Sequence, residues 1–399
     1  MAYDAAVVGA GIGGSGLAKL LAERGWTVLL LDRNALPKHK VCGEFLSPES
    51  KVFLREMGLL NEVMALGPAE ISRIRLHLDG GGRIELPLPK TAFGISRRKL
   101  DAALLDAAIR SGVHVLQSAT VTEYVPCGAG WTVTASVGRE TRKFAASTVI
   151  AAWGGTPIRL KGGAPIGLKG DAPIGLKGGA AVRTERNRRR AEPSVGVKSH
   201  YIGNGFAEDA VELYFFAGGY LGVNAIEDGK FNAAALLEQK DIPRRHKTVA
   251  DMLEAAASRH SALGPLLSSA APVPGTQAAT APVRIAQRPS AWGDIAHVGD
   301  AMGRIPPLCG DGMSIALRSA QLCADYADRF LRGELTLGQW RDGYAAAAAA
   351  EFAGPLRWGR ALQFLLQAPL LPRALPGLAK LAPFAARALV GATRLSRNG

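Results

Sequence analysis

YDAAVVGAGIGGSGLAKLLAERGWTVLLLD, residues 3–32, is the stretch whose reading decides the fold. Tyr3 to Val8 is a short apolar run, and Gly9-Ala10-Gly11-Ile12-Gly13-Gly14 follows it directly. A helical pattern runs from Ser15 to Arg24 with Leu17, Leu20 and Leu21 on one face, and Gly25 ends it. Thr27 to Leu31 then reads as a second buried strand, closed by the acid Asp32. Strand, glycine turn, helix and strand make a complete βαβ opening.

A GxGxxG pattern alone is weak, and its context confirms this one. Gly9 permits the tight turn, Gly11 lets backbone approach a pyrophosphate, and Gly14 lets helix and strand pack. The helix start at Ile12 and Gly13 aims free N–H groups and the positive dipole end at phosphate. Asp32 is placed to accept hydrogen bonds from adenosine ribose hydroxyls, with Arg33 beside it as a further cofactor contact. These residues by themselves admit NAD or FAD equally.

A second cluster lies nearly 300 residues later. Val298-Gly299-Asp300-Ala301-Met302 is followed by Pro306-Pro307 and then by Gly310-Asp311-Gly312-Met313 opening a helix. Here the chain resembles the FAD-dependent class A monooxygenase and geranylgeranyl reductase superfamily, whose late motif reads GDA, a proline, and GxG at a helix start. Gly299-Asp300-Ala301, Pro307, Gly310 and Gly312 match it in order. The resemblance implies that Asp300 binds the ribityl chain. The helix after Gly312 and Met313 then faces the flavin N1 and C2 carbonyl, where negative charge develops on reduction. Arg97-Arg98-Lys99-Leu100-Asp101 resembles the family's arginine before a long helix. One of its two arginines is expected at the flavin or its phosphates, and Arg97 is favoured over Arg98.

One departure and one branch point complete the likeness. Trp153-Gly154 stands where the family often has Asp-Gly. The segment Val41 to Pro48, with Phe215 to Tyr220 and Glu227-Asp228-Gly229, looks more like the geranylgeranyl reductase branch, in which a Cys-Gly pair lines the isoalloxazine side. Cys42 is therefore the one catalytic candidate, with a small buried hydrophobe as its other reading. The WxWxIP signature of flavin-dependent halogenases is absent. His39, His77 and His200 are isolated along the chain and read as surface or satisfied histidines.

The 399 residues are 48% hydrophobic and 21% charged, ordinary globular usage with room for a sizeable core. The net charge of +14 is spread out, and its densest run, Arg183 to Arg190, reads as a solvated loop. No nucleic-acid motif is present, and none of the four cysteines has metal-ligand spacing, so no metal and no nucleic acid are expected. Reduced thiols fit a cytoplasmic protein. No basic n-region precedes the first strand, and no apolar run is long enough to span a bilayer.

The expected architecture is α/β: a Rossmann-like FAD-binding domain of glutathione-reductase type, an inserted antiparallel β-sheet substrate domain, and a helical C-terminal tail. The FAD-binding domain is assigned to residues 1–70, 97–155 and 280–335, and the β-rich domain to 71–96 and 190–279. Thr156 to Gly179 holds three near-copies of one octet, TPIRLKGG, APIGLKGD and APIGLKGG, within a low-complexity insertion over 156–190. Residues 336–399 form the helical region, Ala- and Leu-rich, broken by Pro369, Pro372, Pro376 and Pro383. Its near lack of acids after Glu351 allows peripheral membrane contact.

The resemblance implies an oxidoreductase that draws electrons from NAD(P)H. Hydroxylation of an apolar or aromatic, polyketide- or lipid-like substrate through a flavin C4a-hydroperoxide is the favoured reaction. Reduction of an isoprenoid C=C bond is the alternative, and a non-catalytic flavin-binding protein the third reading. Oligomeric state is not legible in these patterns.

Overall fold

A computed structural model of the chain describes residues 2–78, 82–155, 194–242, 248–283, 289–304 and 307–367. The octet repeats, the Arg183 to Arg190 run and the proline-rich tail lie outside the described residues.

Apolar runs buried on both faces make a parallel sheet. In the strands Ala2–Val8 and Val28–Leu31 the residues Ala5 to Val8 and Val28 to Leu31 are buried and pair in parallel, Ala5 opposite Val28 and Val8 opposite Leu31. The strand order across the first sheet is His114–Leu116, Val28–Leu31, Ala2–Val8, Glu140–Ala151, Gly130–Val137 and Ala119–Cys127, and Ala296–His297 joins Glu140–Ala151. After His297 the chain turns into a one-turn helix at Gly299–Ala301, where Gly299 takes φ +60°.

Three helices cover one face of this sheet. Ile12–Glu23 packs against Arg97–Arg110 and Gly312–Leu331. Leu17, Leu21, Leu104, Ile315, Leu317 and Ala320 belong to one buried cluster with Val7 and Leu30 of the sheet. Each fully buried Leu or Ile there stabilises the fold by roughly 1.5–3 kcal/mol. Ser96 caps the middle helix by accepting from Lys99 N (3.3 Å), as its position predicts. The C-terminal helix, Leu337–Gln367, opens the region expected to be helical and carries Pro355 inside it. Trp340 and Tyr344 anchor it against the long helix, and Tyr344 donates to His297 O (2.7 Å).

The second sheet has nine strands and alternates faces with period two. Ser194–Ile202, Phe231–Glu238, Gly219–Ala225 and Ala210–Phe216 run antiparallel in that spatial order. Ala69–His77 joins Ala210–Phe216 in parallel and forms a hairpin with Arg83–Gly94. Val197, Tyr214, Leu221, Val223, Ala233 and Leu237 point outward beneath the helices Val249–Ala257 and Leu263–Ser269. The opposite side chains point toward the first unit. They are apolar at one end of the face, with Leu78, Phe215, Tyr220 and Leu236 clustered, and polar at the other, with Lys198, His200, Asn224 and Asn232. The short strand Phe45–Leu46 ties the Cys42 segment to the edge of this sheet through Phe93 and Gly94.

Candidate functional site: a trough between two helix starts

Gly9 and Gly14 are required by steric contact. A Cβ on Gly9, at φ +113°, would come within 2.3 Å of Ala152 O, and one on Gly14 within 1.8 Å of Gly9 O. Helix and strand therefore meet backbone to backbone. Gly11 differs, because what lies over it is cationic: a Cβ there would sit 3.7 Å from Lys40 Nζ and 4.0 Å from Arg97 Nη2. The helix begins at Ile12 with Gly11 as an N-cap that has no side-chain acceptor, so two cations and a helix N-terminus converge on one glycine turn. Ile12 and Gly13 are buried in the first turn.

Asp32 ends its strand 8% exposed. Its Oδ2 accepts from Ala10 N (2.9 Å), and its Oδ1 from the Asn34 backbone N–H (2.8 Å) and side-chain amide (2.9 Å). The carboxylate is thereby aimed across the turn while each oxygen keeps lone-pair capacity for hydroxyls. Arg33, the next residue, is exposed.

Arg97 is the hub of the trough. Its guanidinium donates twice to Asp101 (2.9 and 3.1 Å), and Lys40 Nζ donates to the same carboxylate (2.6 Å). Burial alone would raise the Asp101 pKa, but Arg97 and Lys40 outweigh it and hold the group below the usual carboxylate range. The Arg97 guanidinium lies close enough to the Cys42 thiol to act on it electrostatically, and its backbone N–H donates to Glu44 Oε1 (3.0 Å). Burial pushes the Cys42 thiol up more than Arg97 pulls it down, so Cys42 is a neutral thiol rather than a nucleophilic thiolate.

The far wall comes from the late motif. Asp300 lies 3.9 Å from Arg304 Nε, and burial raises its pKa against the pull of Arg304 and Arg97. Arg304 covers the turn after Ala152, where a Cβ on Gly155 would meet its Nε at 2.8 Å. Trp153, in place of the family's aspartate, turns away to pack on Tyr124 and His297. Gly310, at φ +70°, lies against the Phe45 ring, at 2.9 Å from a Cβ built there. The long helix starts at Gly312, with Asp311 as N-cap. No atom of the described residues lies within 4 Å of a Cβ on Gly312, Met313 is buried behind it, and Pro307 is exposed at the rim. The trough thus has an open helix N-terminus at each end, cations over one and a carboxylate beside each. That donor set fits a dinucleotide with a pyrophosphate, ribose and ribityl hydroxyls and a ring that becomes anionic.

Sequence reasoning missed Lys40, Glu44, Asp101, Lys198 and Arg304. It also treated His39 and His200 as isolated, whereas their rings are 5.2 Å apart and both meet Lys198. His77 is satisfied, stacked on Tyr214 at 4.2 Å and hydrogen-bonded to Glu212.

Fold and trough define a flavoprotein of the two-sheet type. The family described as FAD binding domain matches residues 2–334, and the chain belongs to it. Among curated relatives, the chain is similar to conditioned medium factor receptor 1 of Dictyostelium discoideum, 25% identical over 81% of this chain and 62% of the relative. It is also similar to the menaquinone reductase of Mycobacterium tuberculosis, 32% identical over 29% of each chain. Squalene monooxygenase 1,2 of Brassica napus is 35% identical over 19% of this chain and 15% of the relative. The chain therefore spans less than two thirds of the length of these relatives. Two solved structures share the fold. The flavin-dependent brominase Bmp2 has a TM-score of 0.77 at 15% identity, covering 100% of this chain and 96% of the other. A geranylgeranyl bacteriochlorophyll reductase-like protein of Thermoplasma acidophilum has 0.71 at 19%, covering 99% and 94%. No helix among the described residues is long and apolar enough to cross a membrane.

Proposed function

We propose that the protein is an NAD(P)H-driven FAD monooxygenase acting on an apolar, lipid-like or aromatic molecule. The observation that carries the substrate class is the inner face of the second sheet. Leu76, Leu78, Ile84, Leu213, Phe215 and Tyr220 form one apolar surface there, and Leu308 of the late motif packs onto it. A flavin held by Gly310 and Gly312 would border that surface. The name of the squalene monooxygenase relatives supports oxygenation of such a substrate.

In this reading Gly11, Ile12, Gly13, Lys40 and Arg97 hold the pyrophosphate, and Asp32 the adenosine ribose. Asp300, Gly310, Gly312 and Met313 bound the ribityl and ring end, with Pro307 at its rim. FAD, once reduced, supplies the oxygen-activating or hydride-donating chemistry; the protein binds, orients and excludes water. The menaquinone reductase relative favours the second reading, reduction of an isoprenoid or quinone substrate.

Stopped-flow mixing separates the two. Anaerobic NADH or NADPH should bleach the bound flavin, and oxygen should then produce a transient absorbance before the oxidised spectrum returns. Reoxidation in one fast phase with no transient would sink the monooxygenase reading. A flavin that neither nucleotide reduces would sink the proposed donor.

A further inference from the structure

Arg304 follows the late motif and packs against the turn that leaves the first sheet. A Cβ built on Gly155 would lie 2.8 Å from its Nε and 3.1 Å from its Nη2, so the guanidinium rests on bare backbone. Its Nε is 3.9 Å from the Asp300 carboxylate, an ion pair too long for a hydrogen bond. The other residues of that turn offer no acceptor side chain, since Gly154 has none and Trp153 packs on Tyr124 and His297. The Arg304 side chain is only 18% exposed, yet among the described residues its guanidinium donates no hydrogen bond. Polar groups enclosed to that degree are hydrogen-bonded as a rule, so five unspent N–H donors point to an acceptor that a ligand brings.

The seat of Arg304 is close to the glycine turn. The Trp153 backbone nitrogen would lie 2.7 Å from a Cβ on Gly9. Gly155 is two residues further on, about 7 Å of chain at full extension. Arg304 and Arg97 both act on the Asp300 carboxylate, so one guanidinium over Gly155 and another over Gly11 share a carboxylate within electrostatic reach. This part of the trough is open: Gly155 is exposed, and neither Asp300 nor Arg304 is closed off from solvent. Charge then identifies the ligand group. Lys40 and Arg97 share the single Asp101 carboxylate, which leaves one positive charge between them. The diphosphate of a dinucleotide brings two negative charges, and Arg304, held only loosely by Asp300, supplies the second cation.

We propose that Arg304 is a cofactor-binding residue, which holds the FAD diphosphate from the Gly155 turn while Lys40 and Arg97 hold it at Gly11. The proposal rests on the trough being the FAD site and adds to that site a residue that the sequence motifs do not mark. A planar guanidinium fork matches phosphate oxygens two at a time, whereas a lysine at the same place would act as a point charge. Once its donors go to phosphate, the Asp300 oxygens are left to the ribityl hydroxyls.

The test is calorimetric titration of the full-length apoprotein with FAD, ADP, AMP and adenosine, for the native chain, Arg304→Gln and Arg304→Lys. Arg304→Gln should weaken FAD and ADP binding by about 10- to 100-fold, AMP by less, and adenosine not at all. Arg304→Lys should regain part of the loss, because it keeps the charge without the fork. The Arg304→Gln apoprotein should melt at the native temperature or above it, since the substitution removes an enclosed cation that has no hydrogen bond to lose. FAD and ADP affinities equal to native overturn the proposal. A loss that adenosine shares in full, or one that comes with a lower apoprotein melting temperature, overturns it as well, because the role would then be structural. If the native chain binds neither FAD nor ADP, the site reading and the proposal fall together; if it binds both and the variant binds them equally, the proposal falls alone. A missing oxygen transient in the stopped-flow experiment counts against the proposed reaction and leaves these titrations as they stand.

Discussion

Replacing Lys198 with methionine isolates the energetic role of the interdomain cluster. The side chain is 0% exposed, as is its partner Glu44, so the substitution leaves a carboxylate in the interior without its cation. Breaking a buried pair from one side costs about 3–5 kcal/mol. For a chain of 399 residues, with ~2.1 cal/mol/K of unfolding entropy per residue, this is a fall of roughly 4–6 °C in melting temperature at neutral pH. The loss depends on pH with a definite sign. Burial would raise the Glu44 pKa, but His200 and Lys198 hold it below its unfolded value of 4.5. Its stabilisation is therefore present above that pH in the native protein and lost as pH falls through the folded value. Without Lys198 the carboxyl protonates more readily, so the gap between variant and native protein should be widest near pH 7.5 and shrink toward pH 4.5. The double variant Glu44→Gln/Lys198→Met removes both charges and should regain more than half of the loss. Thermal melts of all three proteins across pH check this. A single variant melting within 1 °C of native, or a gap that does not change with pH, refutes the reasoning.

Two glycines of the trough should behave oppositely. Gly14→Ala forces a Cβ onto Gly9 O at 1.8 Å and should destabilise apoprotein and holoprotein alike by about 1–3 kcal/mol, measured by denaturant melts. Gly312→Ala enters open space at a helix start, so apoprotein should melt at the same temperature or slightly higher while FAD binds more weakly by fluorescence titration. Asp32→Ala removes a carboxylate that orients the turn through Ala10 N and offers its remaining lone pairs to ribose. A loss of roughly 1.5–3 kcal/mol, about 10- to 100-fold in FAD affinity, is expected by the same titration.

What the sequence made legible was local. Gly9 to Asp32 carries its own turn, cap and strand chemistry, and Ser96 announces the helix at Arg97 from one position away. The late motif was legible for the same reason, its glycines marking the turn at Gly299, φ +60°, and the helix start at Gly312 behind the Asp311 cap. The cluster that joins the units was not legible, because it depends on register. Glu44 and His200 are 156 residues apart, and they meet only because Phe45–Leu46 pairs with the edge of a sheet whose inner face carries His200. One signal was available: in Ser194–Ile202 the apolar Val195, Val197 and Tyr201 alternate with Lys198 and His200, so a strand covered on both faces was bound to bury a charge.

That buried charge bears on how the two units work together. The trough takes Gly11, Asp32, Arg97 and Asp300 from the first unit, and the apolar face takes Phe215 and Tyr220 from the second. The segment His39 to Phe45 belongs to both, since Glu44 holds the Arg97 backbone on one side and Lys198 on the other. A non-glycine residue at φ +53° costs about 1–3 kcal/mol and persists only where its surroundings over-determine it. Here they do, through the Cys42 thiol accepting from Glu44 N, Arg97 N and the Lys198–His200 pair. A glycine at position 44 would relieve the backbone cost and lose every one of the side-chain contacts. The strained glutamate is thus the residue that fixes the apolar face against the cofactor trough.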